Sequence, residues 1–203
     1  MEKPEEVLNE MKGTFVTSLR RNNKQIRDDR ALAIAEQNLD PDHPELAGYL
    51  NNLASLLQEQ GKYAEAEPLL QRTLVIWEGA YGPEHPDVGI VVHNLANLYR
   101  DQGDHDLAES YYLRSGKIWE EALGQNHAYF ATHLREQAVL YALQGRFVEA
   151  EEVFQHSLAI WEGMFGPVHP QVAVTLEKYS VLLREMGRTE EAEELEARAR
   201  AVQ

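Results

Sequence analysis

The chain has 203 residues, a formal net charge of −15 and no cysteine. Such a charge makes nucleic acid and anionic membranes poor partners, and the missing cysteines exclude disulfides and thiolate chemistry while suiting a reducing cytosol. No stretch approaches the roughly 18 uninterrupted apolar residues of a membrane span, and the N-terminal MEKPEEVLNE lacks the apolar core of a secretory signal, so a cytoplasmic location is expected.

Residues 1–38 read as a degenerate helix pair. Set back by 42 residues, Leu8, Met11 and Phe15 fall where Leu50, Leu53 and Leu57 stand in the next unit. Lys24 and Asp28 fall where Ala66 and Leu70 stand, so the middle of the pattern is eroded. A terminal repeat has one face toward water and is often atypical. This pair is a solvated cap, or RRNNKQIRDDR is a basic contact patch.

From residue 39 the chain is periodic. Gly61, Gly103, Gly145 and Gly187 are 42 residues apart, as are Trp77, Trp119 and Trp161, and His43, His85, His127 and His169. A fixed period of this size marks a solenoid. Each unit opens at a His-Pro or His-Ala step. Pro44, Pro86 and Pro170 suit a first helical turn, where a missing N–H costs nothing. In the first unit the spacing predicts a helix over about 44–60, with Leu46, Leu50, Leu53, Leu56 and Leu57 on one face. Gly61 ends it. A second helix follows over about 63–80, and Tyr81-Gly82-Pro83 breaks it. Ala66, Ala108, Ala150 and Ala192 recur at one place, where a small side chain lets paired helices approach. The pattern gives helix–turn–helix four times over 39–203. The last helix, over 188–203, is polar enough to cap the stack, with Glu196 where Leu70, Tyr112 and Phe154 stand earlier.

Leu50, Leu53, Ala54, Leu57, Gly61, Tyr63, Ala66 and Leu70 form the core pattern of a tetratricopeptide repeat. With the 42-residue period and the long GPEHP turn, LNNLASLLQEQGKYAEAEPLLQRTL closely resembles the repeats of kinesin light chains and their bacterial relatives. The resemblance covers 39–203 well and 1–38 weakly. It implies an all-α, right-handed α-solenoid of helix–turn–helix repeats. Unit two departs with His105 at the Tyr63 position and Gly116 at the Leu74 position, unit three with Gln137 at the Leu53 position, and unit four with Thr189 at the Tyr63 position.

The four-histidine ladder invites a metal reading, but a metal needs several ligands within about 2 Å. Stacked repeats stand roughly 10 Å apart, so each histidine is expected to cap or pack its turn. The tryptophan row is expected to pack between units and seal the long turn rather than stack a ligand. No nucleophile elbow or phosphate loop frames a catalytic group. No enzyme activity, metal or cofactor is expected.

The resemblance implies a binding groove lined by the first helix of each unit. The matching residues are Asn51, Asn52, Ser55 and Gln58, then His93, Asn94, Asn97 and Arg100, then Arg135, Glu136 and Val139, then Glu177, Lys178, Val181 and Arg184. Asparagine both donates and accepts, so it can hold a peptide backbone irrespective of sequence. The four first helices together carry only −3 of the charge, and Arg100, Arg135, Lys178 and Arg184 suit an acidic peptide. The expected function is a non-catalytic protein–protein interaction module holding an extended peptide or a partner helix in a concave groove. The alternative is a self-associating scaffold, a homo-oligomer, or an adaptor or sensor part of a larger signalling protein.

Overall fold

The computed structural model describes residues 26, 27 and 29–202. The N-terminal pair read over 1–38 lies mostly outside them, Leu8, Met11 and Phe15 included. The described chain forms two compact units, divided between Ala80 and Tyr81.

In the first unit, helix α1 runs over 29–38, α2 over Pro44–Glu59 and α3 over Tyr63–Tyr81. Leu46, Ala47, Leu50, Ala54 and Leu56 of α2 are buried, as are Ala66 and Leu70 of α3. Two long-range hydrogen bonds tie the hairpin. The Thr73 hydroxyl donates to the Ala47 carbonyl at 3.3 Å, and the Trp77 indole donates to the Pro44 carbonyl at 3.1 Å. Arg72 reaches back to Glu36 of α1 at 2.8 Å.

The second unit holds three hairpins: α4 (Pro86–Gln102) with α5 (His105–Leu123), α6 (Ala128–Leu143) with α7 (Phe147–Phe165), and α8 (Pro170–Glu185) with α9 (Thr189–Arg200). Each second helix packs on the next first helix, α5 on α6 and α7 on α8. The first helices also touch in sequence, α4 on α6 and α6 on α8. No strand occurs among the described residues.

The histidine ladder is a set of helix caps. In His43, His85, His127 and His169, Nδ1 accepts the backbone N–H two residues on, each at 3.2 Å. This satisfies one of the open donors of a helix start. It explains the conserved register without a metal, and it holds at His127, which no proline follows. At the other end of α4, Gly103 takes φ +84°, a left-handed turn that side chains resist. The alanine column is buried completely at 66, 108, 150 and 192.

The tryptophans are packing residues, as the periodicity suggests. Trp119 is 2% exposed, and its indole donates to the Pro86 carbonyl at 3.0 Å. It lies against Gly89, where an added Cβ would stand 2.5 Å from the indole nitrogen. Trp161 breaks the pattern: its indole nitrogen is buried without a hydrogen bond, and the ring stacks on His169 instead, with centroids 5.9 Å apart. Trp119→Ala is expected to cost on the order of 3 kcal/mol, seen as a melting temperature lower by roughly 10 °C. An unchanged melting temperature would reject this role.

Two repeat-spaced ion pairs staple the hairpins of this unit. Arg146, in the α6–α7 turn, donates to Glu109 of α5 at 2.8 Å. Arg188, in the α8–α9 turn, donates to Glu151 of α7 at 2.7 Å. Both are part-exposed, so each contributes modestly.

Candidate functional site

Helices α4, α6 and α8 turn matching faces the same way, because the repeat keeps their register. On that face the structure gathers most of the cations singled out in the sequence onto one carboxylate. Glu136 of α6, 9% exposed, accepts from three of them. Arg100 Nη1 of α4 donates to its Oε2 at 2.9 Å, its chain neighbour Arg135 donates through Nε to Oε1 at 3.1 Å, and Lys178 Nζ of α8 donates to Oε2 at 3.3 Å. Burial alone would raise the Glu136 pKa; Lys178, Arg100 and Arg135 outweigh it and hold the carboxyl at about 2. It is ionised at neutral pH.

The cluster extends on both sides. Arg100 also donates to the Tyr112 hydroxyl at 3.0 Å and to Asp101 at 2.9 Å. The Tyr112 hydroxyl in turn donates to Asn97 Oδ1 at 2.5 Å. Arg135 is buried and donates to Gln171 of α8 at 2.7 Å. Arg184 stands apart and forms a two-pronged pair with Glu196 of α9 at 2.8 and 3.0 Å. Each of the four cations expected to meet an acidic partner therefore already holds a carboxylate.

The remaining candidates divide by burial. His93 is 6% exposed, below the face, with its ring 5.3 Å from Tyr112 and 5.2 Å from Trp119. Asn94 is half-buried on α4, beside His93 in the chain. In the first unit, Asn52 is exposed, Asn51 is half-buried, and the Ser55 hydroxyl is turned back onto the Asn51 carbonyl at 3.0 Å.

One feature of the face belongs to the tertiary structure. Between α6 and α8 lies an open cleft of about 490 Å³. Val139, Ala142 and Leu143 of α6, Phe147 and Phe154 of α7, and Lys178, Val181, Leu182 and Glu185 of α8 line it. The repeat explains why it exists. One unit earlier, the positions of Val139, Ala142, Leu143, Phe154 and Lys178 hold Asn97, Arg100, Asp101, Tyr112 and Glu136. There the Arg100 side chain crosses from α4 to Tyr112 and Glu136 and occupies the hollow. At Ala142 no such arm reaches across, and the walls are mostly apolar, with Lys178 and Glu185 among them. The column 58, 100, 142 and 184 reads Gln, Arg, Ala, Arg. That lone alanine was the available signal.

A sequence model of the family described as tetratricopeptide repeat matches residues 27–74, 45–121, 90–161 and 129–203. The chain belongs to the tetratricopeptide repeat family. No curated protein sequence matches it. Among solved structures, BtubC (BKLC) of P. vanneervenii aligns with a TM-score of 0.71 at 23% identity, over 90% of this chain and 73% of that one. A kinesin-light-chain-type protein of Podosopora anserina, with nearly identical TPR-like repeats, aligns at 0.68 and 24%, over 100% and 97%. MamA aligns at 0.58 and 14%, over 90% and 93%. These identities show shared fold. A tetratricopeptide repeat chain is a protein–protein interaction or scaffold module, typically without catalysis. Among the described residues no helix is long and apolar enough to cross a membrane.

Proposed function

We propose that this tetratricopeptide repeat protein holds a segment of a partner protein, an extended peptide or a helix, along the face formed by α4, α6 and α8. The observation that carries this reading is the open apolar cleft between α6 and α8. A concave, mostly apolar site with a few polar groups at its edge is the usual form of a recognition pocket. Val181 is 59% exposed and Leu143 56% exposed at its mouth, so apolar surface waits there for a partner. Asn94 and Asn97 stand beside the cleft's neighbour position and would hold peptide backbone, with Arg100, Arg135 and Lys178 fixed by Glu136 as a rigid polar border. Asn51, Asn52 and Ser55 would serve the first unit in the same way.

The test is selection from a random peptide library on wild type and on Val181→Glu. Val181 is already exposed, so the variant should keep its circular dichroism and melting temperature. The expected result is an enriched motif whose affinity falls at least tenfold in Val181→Glu. Equal enrichment on both proteins would place binding on another surface.

A further inference from the structure

We infer that the segment seated in the α6–α8 cleft is apolar and cationic: bulky apolar side chains fill the hollow beside Ala142, and a lysine or arginine reaches Glu185. This rests on the groove reading above and assigns its charge preference, which is opposite to the one the cations of the sequence suggest.

At the Lys178 end, Arg100, Arg135 and Lys178 are held by Glu136, and Arg100 also by Asp101. Arg184 is held by Glu196. An acidic partner would have to draw these cations away from carboxylates already placed and desolvated. Glu185 is different. It lines the cleft, is exposed, and has no hydrogen-bond or ion-pair partner among the described residues. Residues 81–203 hold ten Lys/Arg against twenty Asp/Glu, a net of −10. Helices α4, α6 and α8 carry little of this charge, so the preference at the cleft for a cation comes from Glu185, the charge of its lining that is not already paired.

Spacing gives the partner's shape. Lys178, Val181, Leu182 and Glu185 follow one another at i, i+3, i+4 and i+7 on α8, a single helical stripe. Seven residues of helix span roughly 10 Å. A partner helix lying along this stripe sets an apolar pair against Val181 and Leu182 and a cation one turn farther on, at Glu185. The cleft volume, about 490 Å³, lies within the roughly 300–1,000 Å³ of recognition pockets.

The experiment is peptide-library selection on the whole chain, with wild type, Glu185→Lys and Ala142→Gln run in parallel. Ala142→Gln places in the hollow the residue found at the same repeat position in Gln58, without changing charge. Wild type is expected to enrich peptides pairing Leu, Ile, Phe or Trp with Lys or Arg. By fluorescence anisotropy those peptides should bind Glu185→Lys at least threefold more weakly, bind Ala142→Gln at least tenfold more weakly, and lose affinity as NaCl rises. Enrichment of acidic peptides on wild type, lost in Ala142→Gln, would overturn the charge assignment and leave the groove in place. Peptides that bind Ala142→Gln and wild type equally but fail on Val181→Glu would overturn the cleft as their seat and keep the face. No enrichment on any of the proteins would overturn the groove reading itself, and this inference with it.

Discussion

Glu136→Ala is expected to destabilise the second unit by about 5 kcal/mol, the upper end for breaking a buried ion pair. The reason is what it leaves behind. Arg100 and Arg135 are 14% and 9% exposed at their side chains, so neither can recover full hydration when its carboxylate goes. Lys178, at 36%, can turn outward and loses less. Arg100 retains Asp101 and Tyr112, whereas Arg135 retains only the Gln171 amide oxygen. Glu136→Gln keeps the shape and one acceptor oxygen while losing the charge and the second acceptor, so its loss should be intermediate. Urea denaturation followed by circular dichroism measures both. If Glu136→Ala unfolds at the wild-type midpoint, the carboxylate is not organising α4, α6 and α8.

Acid should weaken this protein as soon as the pH falls below about 6.5. His93 and His133 lie buried against each other, ring centroids 6.2 Å apart, each with an unpartnered Nδ1. Burial pushes His93 down to about 4; Glu136 opposes this, while Arg100 and Arg135 add to it. Burial pushes His133 to about 3, with the neighbouring His93 adding to the shift. Both stay neutral in the fold while the unfolded chain protonates near 6.5. Their contribution is therefore complete above pH 6.5 and is lost as the pH falls toward 4 and then 3, on the order of 1 kcal/mol per pH unit for each imidazole. Glu136, held at about 2 against 4.5, adds its loss only below about 4.5. A melting temperature that stays flat from pH 7 to 5 would contradict this account.

The repeat supplies the variant that isolates His133. Gly116 has no side chain because His133 fills its place: a Cβ there would stand 2.4 Å from the imidazole Nε2. Units one and three hold Leu74 and Leu158 at the position of Gly116, and the preceding unit holds Val91 at that of His133. Gly116→Leu alone should prevent folding of this hairpin or cost more than about 3 kcal/mol, as overpacking does at its worst. Gly116→Leu with His133→Val should restore folding and halve the loss of stability between pH 6.5 and 4.5, leaving the share due to His93.

The glycine also shows where sequence reading stops. Gly116 stands out as a departure from the leucine column, yet its cause sits 17 residues away on the next helix. The repeat period, the helix starts at His43, His85, His127 and His169, the left-handed turn at Gly103 and the buried alanine column are all legible in the chain. Each is a local requirement, a cap or turn or helix contact, repeated at constant spacing, so one good instance identifies the rest. The expected face is the one that α4, α6 and α8 present. How the charges on that face pair is not legible in the sequence. Arg100, Arg135, Lys178 and Arg184 read as free cations because a list of residues has no distances. Glu136 lies 36 residues from Arg100 and 42 from Lys178, and only packing α4, α6 and α8 side by side brings the three together. The cleft is tertiary for the same reason: it is the place where Ala142 lacks the arm that Arg100 extends, and an absence becomes a surface only when neighbouring helices stand around it. By itself the sequence determined the repeat and its helices, because those are set by contacts within one hairpin; pairing between hairpins decided which charges are spent and which surface is open.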